Sequence, residues 1–238
     1  MMKKPLVSFV IRTKDESMWI GKVLQFLMDQ TFKDFEIIII DSGSTDKTLE
    51  IVKKFPIRLI QIKPEEFNYS YALNLGISKA NGKYIGIISG HSIPVSDSWL
   101  SDGLKNFKDG KVAAISGNYS SFPVGYFSRS LGRLFFKPCQ KKLNFNPWMT
   151  NTNSLVRKDL WKQYPFDEKL PECEDYDWAS EMISRGYNVI KDPKFNVFHS
   201  HFLLGRPGYS ARKPRWEKIC AIIDKRKRPR KSYSKIEM

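Results

Sequence analysis

Four consecutive isoleucines, Ile37 to Ile40, narrow the folds open to this chain more than any other stretch. β-Branched residues favour extended backbone, and an apolar run without polar alternation suits a strand covered on both faces, as in a parallel sheet. The run stops at Asp41. Ser42, Gly43, Ser44, Thr45 and Asp46 follow, which are turn and helix-cap residues, and Leu49, Val52 and Phe55 then recur at helical spacing. A strand, a tight turn and a helix are predicted, with a carboxylate at the carboxyl end of the strand. In open α/β sheets ligands bind at that edge. The plainer alternative for Asp41 is a helix cap.

The same alternation continues on either side. Residues 6–11 read as a strand and 12–16 (RTKDE) as a polar loop, after which Ile20, Val23, Leu24 and Leu27 fall on one helical face. Residues 58–62 form a shorter strand. Residues 68–80 form a helix in which Ala72, Gly76 and Ala80, four apart, allow close approach to a sheet. Asn74 among them is either a polar contact to a ligand or a solvated position. Residues 84–89 form a strand that runs into Gly90-His91-Ser92-Ile93-Pro94. A helix marked by Leu100, Leu104 and Phe107 and a strand at 112–116 come next. The fold class is therefore α/β, a doubly wound, mainly parallel sheet with helices on both faces. From Gly117 the pattern loosens. Residues 119–147 are aromatic and basic and read as amphipathic or loop structure over the active-site edge. A strand at 152–157, a helix at 172–185 with an acidic start, and short strands at 189–191 and 195–199 close the body.

Composition bounds the function. With 238 residues, 41% hydrophobic and 13% aromatic, the chain can bury a full central sheet. Its net charge of +15 is uneven, because residues 205–238 hold twelve Lys and Arg against three Asp and Glu. A mildly basic body argues against a nucleic-acid binder. In the basic tail Trp216, Ile219 and Ile223 share a helical face, which either lies on an anionic membrane or packs on the body. Cys139, Cys173 and Cys220 have no metal-ligand or redox spacing and argue for a reducing compartment. No stretch approaches the roughly 20 apolar residues of a membrane span. A cytoplasmic protein, with or without peripheral attachment to the inner face of the cell membrane, is the expectation.

Taken in order, VSFVIRTKDE, DFEIIIIDSGSTDKT, ALNLGI, GKYIGIISGHSIP, NTNSLVRKDLW and PECEDYDWASEMISRGY, closed by VFHSH, resemble the family-2 glycosyltransferases of the GT-A fold, and most of all their rhamnosyltransferase-like branch. The resemblance implies a nucleotide-sugar-binding half at 1–117, an acceptor-binding and catalytic half of the same domain at 118–204, and a basic tail at 205–238. It implies inverting transfer of a sugar from a nucleoside-diphosphate sugar to a saccharide or lipid-linked saccharide acceptor, as in cell-surface polysaccharide synthesis. The rival is an inactive homologue that binds a nucleotide sugar or glycan.

By the same resemblance Thr13, Asp15, Glu16, Asp41, Ser42 and Asn74 fall at the nucleotide, with a solvated, helix-capping pair as the alternative for Asp15 and Glu16. Asp175 is implied as the general base, with Glu174 orienting it or the acceptor. Asn153 is either a sugar contact or a turn residue, and Trp178 either stacks on a sugar or fills the core. Where most relatives carry a metal-binding Asp-x-Asp, this chain has Ser89-Gly90-His91. His91 with His199 (or His201) suits a divalent ion, Mn²⁺ more than Mg²⁺. Alternatively, His91 pairs directly with the diphosphate without metal, or activity is lost.

Overall fold

The computed structural model describes residues 4–120, 142–143, 149–199 and 209–226. Most of the aromatic and basic stretch at 119–147, together with His201 and the basic end from residue 227, lies outside the described residues. The chain runs β1 (Val7–Thr13), α1 (Ile20–Met28), β2 (Phe35–Asp41), α2 (Thr48–Val52), β3 (Arg58–Gln61), α3 (Tyr69–Lys79), β4 (Tyr84–Ser89), β5 (Ser92–Pro94), α4 (Trp99–Leu104) and β6 (Val112–Ser116). After these come β7 (Tyr119–Ser120), β8 (Lys142–Leu143), β9 (Asn153–Arg157), α5 (Lys158–Gln163), α6 (Glu174–Ser184), β10 (Asn188–Lys191), β11 (Val197–His199) and α7 (Tyr209–Arg226).

Eight strands form one sheet in the order β3-β2-β1-β4-β9-β6-β10-β8. The isoleucine run sits near one end of it and is buried on both faces. Ile37 and Ile39 enter a core with Phe9, Ile11, Ile20 and Leu24, whereas Ile38 and Ile40 enter a second with Val10, Leu73, Ile77 and Trp178. Helix α3 lies close on the sheet. A Cβ at Gly76 would collide with the Val10 side chain, so close approach offsets the propensity of about 1 kcal/mol that glycine costs a helix.

Two features add to the sequence reading. Strand β9 is antiparallel to both neighbours, β4 and β6. A small second sheet, β5-β11-β7, stands apart from the main one and carries His199 on its middle strand. The tail helix also takes the plainer of its two readings. Ile219, Cys220 and Ile223 are buried against Leu170, Cys173 and Tyr176, and Trp216 packs on the same cluster. The apolar face weighed as a membrane contact packs on the body. Among the described residues no helix is long and apolar enough to cross a membrane.

Candidate active site

The carboxyl ends of β1 and β2 are in register, with Thr13 opposite Asp41. Thr13 Oγ1 donates to Asp41 Oδ1 at 3.2 Å. The backbone N–H groups of Gly43 and Ser44 donate to Oδ2 at 3.1 and 3.0 Å, and the Ser44 hydroxyl donates to Oδ1. A carboxylate has about four acceptor positions, and a fully buried Asp41 fills them with Thr13 and its own loop. Asp41 thereby shapes this edge. Ser42 is likewise buried, its N–H 3.1 Å from the Thr13 carbonyl oxygen.

Asp15, with φ +53, holds the facing loop: its Oδ1 accepts from Thr45 N at 2.7 Å, Thr45 Oγ1 at 3.2 Å and Asp46 N at 3.3 Å. Asp15 stays exposed, so of this group it is the carboxylate open to a ligand. Burial works against ionised Asp46, yet hydrogen bonds from Thr48 and Ser17 hold it down at about 2, which keeps the loop anionic and clamped at neutral pH.

Glu16 turns inward. Its Oε1 lies 2.9 Å from His91 Nδ1, and both side chains are almost wholly buried. The carboxylate can only accept, so Nδ1 carries the hydrogen. His91 stacks on His199, with centroids 4.5 Å apart and planes 29° apart. His199 Nδ1 lies 2.9 Å from Ser92 Oγ, and Tyr119 meets the His199 ring edge-on at 5.4 Å.

This stacking bears on metal binding. Both Nδ1 atoms are already engaged, one with Glu16 and the other with Ser92, which leaves the Nε2 atoms as the nitrogens that could meet an ion. Among the described residues no three His, Cys, Asp or Glu side chains are grouped to hold one. His91 and His199 thus stand as a pair without a third ligand of that kind beside them.

The acids of α6 come to the same sheet edge. Cys173, at φ +66, makes the sharp entry to the helix, and Glu174, Asp175 and Asp177 fill its first turn, where the helix dipole favours negative charge. Asp175 Oδ2 accepts from Asn151 N at 3.0 Å and Oδ1 from Tyr176 N at 2.8 Å. Glu174 Oε1 accepts from Asn151 Nδ2 at 3.1 Å and faces Arg12 Nη1 at 3.5 Å. Desolvation of the Asp175 carboxyl and the adjacent Glu174 push its pKa up to about 7; the Asn151 and Tyr176 N–H groups and Arg12 oppose them. Ser89, two residues before His91, lies between the two groups: its N–H donates to the Thr152 carbonyl oxygen at 3.1 Å, and it pairs with Arg12 in the sheet.

Three expected site residues belong elsewhere. Asn74 Nδ2 donates to the Phe166 carbonyl oxygen and to Glu168 Oε1, each at 2.8 Å, while Oδ1 accepts from Trp161 Nε1 at 3.0 Å and Phe166 N at 3.2 Å. It fastens α3 to the segment after α5 and has nothing left for a nucleotide. Trp178 is fully buried in the core and cannot stack on a sugar. Asn153 is fully buried too, its Nδ2 donating to the Phe195 carbonyl oxygen at 2.5 Å, which ties β9 to the strand entering the small sheet. Asp177 accepts from the Tyr164 hydroxyl at 2.9 Å and acts as a brace. Arg12 is a site residue that the sequence reading left inside a polar loop; its one signal was a cation next to the apolar body of a strand.

A mainly parallel eight-stranded sheet with an acidic helix head brought to its carboxyl edge is an architecture of the GT-A type. The chain belongs to glycosyl transferase family 2, whose family model matches residues 8–164. An uncharacterised glycosyltransferase of Methanocaldococcus jannaschii is 27% identical over 223 residues, 86% of this chain and 72% of that protein. The O-antigen chain rhamnosyltransferase WbaN of Salmonella anatum is 27% identical over 184 residues, covering 72% of this chain and 58% of its own. The chain spans 61% of the length of an uncharacterised Haemophilus influenzae glycosyltransferase, at 26% identity over 76% of this chain. Among solved structures, the mannosyltransferase PcManGT of Pyrobaculum calidifontis, in complex with GDP-Man and Mn²⁺, superposes with a TM-score of 0.71 at 18% identity, over 94% of this chain and 64% of that one. Staphylococcus aureus TarS 1–349 with UDP-GlcNAc gives 0.68 at 15% identity, over 97% and 69%.

Proposed function

We propose that this protein is an inverting glycosyltransferase, moving a sugar from a nucleoside-diphosphate sugar to a saccharide or lipid-linked saccharide acceptor. The observation that carries the reading is Asp175, held by two backbone N–H groups with its pKa raised to about 7. A general base works best with its pKa near the operating pH. In the step proposed, the acceptor oxygen bonds to the anomeric carbon from the face opposite the diphosphate. The acceptor proton passes to the Asp175 carboxylate. The anomeric carbon–oxygen bond breaks and its electron pair leaves with the diphosphate. Inversion follows from this single displacement with one base.

On the donor side, exposed Asp15 reaches the nucleotide, the loop ordered by Asp41 and Thr13 shapes its seat, and His91, oriented by Glu16, faces the diphosphate. The neighbours bound to GDP-Man and UDP-GlcNAc support a nucleotide-sugar donor. An O-antigen chain rhamnosyltransferase and a Methanococcus voltae relative named as a dolichyl N-acetyl-alpha-D-glucosaminyl phosphate 3-beta-D-2,3-diacetamido-2,3-dideoxy-beta-D-glucuronosyltransferase support a saccharide or lipid-linked acceptor.

The test is turnover of a panel of nucleotide sugars by wild type and Asp175→Asn. Transfer by wild type, lost in Asp175→Asn while donor binding persists, is the expected result. Retained transfer in Asp175→Asn would sink the base assignment. Donor binding with no turnover in wild type would instead favour the inactive homologue, a reading for which His91 at the Asp-x-Asp position is the specific motive.

A further inference from the structure

Arg12 is the only charged residue of β1, a central strand flanked by β2 and β4. Its side chain is 18% exposed, and a cation held that far from water needs partners. It has three. Nη1 donates to the Tyr69 carbonyl oxygen at 3.3 Å, the guanidinium lies over the Tyr69 ring at 4.9 Å, and Nη1 faces Glu174 Oε1 at 3.5 Å. Glu174 is also held by Asn151 Nδ2, and the N–H of that same Asn151 holds Asp175. An unbroken path therefore runs from the donor strand through Arg12, Glu174 and Asn151 to Asp175.

The charges along this path matter as much as the contacts. Glu174 next to Asp175 on α6 and Arg12 from β1 are the charged groups that act on it most, and Cys173 lies just ahead of both acids. Two adjacent carboxylates, Glu174 buried and Asp175 partly so, resist ionising together, and a nearby cation offsets that resistance. We propose that Arg12 is a positioning residue that anchors Glu174 to the donor strand and sets the pH at which Asp175 becomes a base. The inference rests on the reading of Asp175 as the general base.

The test needs no substrate. The full chain is labelled with ¹³C at aspartate Cγ, the Asp175 signal is assigned by its loss in Asp175→Asn, and its titration midpoint is followed by NMR. Wild type is expected to titrate near 7. In Arg12→Met the midpoint rises by about one pH unit, while Arg12→Lys, which keeps the charge, stays near wild type. A role in folding alone would lower stability in both variants and leave the midpoint in place. Should Arg12→Met fold poorly, Arg12→Met/Glu174→Gln, which leaves no lone buried charge, is compared with Glu174→Gln, and the double variant is expected to titrate higher. An unmoved midpoint overturns the role of Arg12. A wild-type midpoint in the ordinary carboxylate range counts instead against Asp175 as a base poised at neutral pH, so the two failures are distinguishable.

Discussion

The backbone N–H of Asn151 donates to Oδ2 of Asp175 across 3.0 Å, and the side chain of the same asparagine holds Glu174 at 3.1 Å. One residue just ahead of β9 thereby orients Glu174 and Asp175, the first two acids of α6. The loop ahead of an antiparallel strand and the head of a helix twenty-four residues on are locked as a unit. The consequences can be measured.

Transfer should rise with pH through about 7, because only ionised Asp175 accepts a proton. Stability should move the opposite way. The folded-state value lies above the ordinary aspartate value of 3.8, so the native state binds the extra proton between 3.8 and about 7. The contribution is fully present below 3.8 and is lost as pH rises through about 7. Thermal melts across this window, compared with Asp175→Asn, check the sign: the variant should show the flatter profile.

Asn74→Ala should cost about 2–3 kcal/mol in urea denaturation, since buried partners on the 161–168 segment are left unpaired. Nucleotide affinity of the folded variant should not change. A selective loss of donor binding at wild-type stability would return Asn74 to the nucleotide site.

His91→Asp, which restores the residue type common in the family, should not restore a family-like site. It sets a second carboxylate against Glu16, with both side chains nearly water-free. Like charges so placed cannot both ionise, so a loss of about 3 kcal/mol at neutral pH is expected, recovered in part under acidic conditions. Denaturation at two pH values measures it, and a variant as stable as wild type at both would refute the pairing.

Ile223→Ala should destabilise the protein by about 3 kcal/mol, because it opens a cavity under α7. Anionic-vesicle pelleting of the folded variant should equal that of wild type. A drop in pelleting without a drop in stability would mean that this face meets lipid after all.

Much of the fold was legible because period and burial coincide. The isoleucines of β2 alternate between two cores, the residues predicted for α1 are the ones it buries, and Gly76 marks the close contact of α3 with Val10. Strand direction was not legible: the apolar run of β9 reads the same either way. Nor was the fate of Asn74, because its partners lie about ninety residues away in sequence. Asp41 was recognised as a residue of the sheet edge, but composition cannot tell how many donors a loop will fold back onto a carboxylate. Arg12 escaped for a similar reason, since a cation in RTKDE looks solvated until Glu174 is brought alongside it.

Helix α7 grips the residues on both sides of the acids. Trp216 Nε1 donates to Glu172 Oε2 at 2.6 Å, Cys173 Sγ reaches the Trp216 carbonyl oxygen at 4.0 Å, and the Tyr176 hydroxyl donates to Asp224 at 3.1 Å. The Cys220 thiol facing Cys173, together with burial, keeps that cysteine protonated and the contact apolar. The last helix and the first turn of α6 therefore open and close as one cooperative unit, and their amides should exchange with solvent at a shared rate. Loosening the chain's far end would blunt its chemistry without touching a single group that meets the sugar.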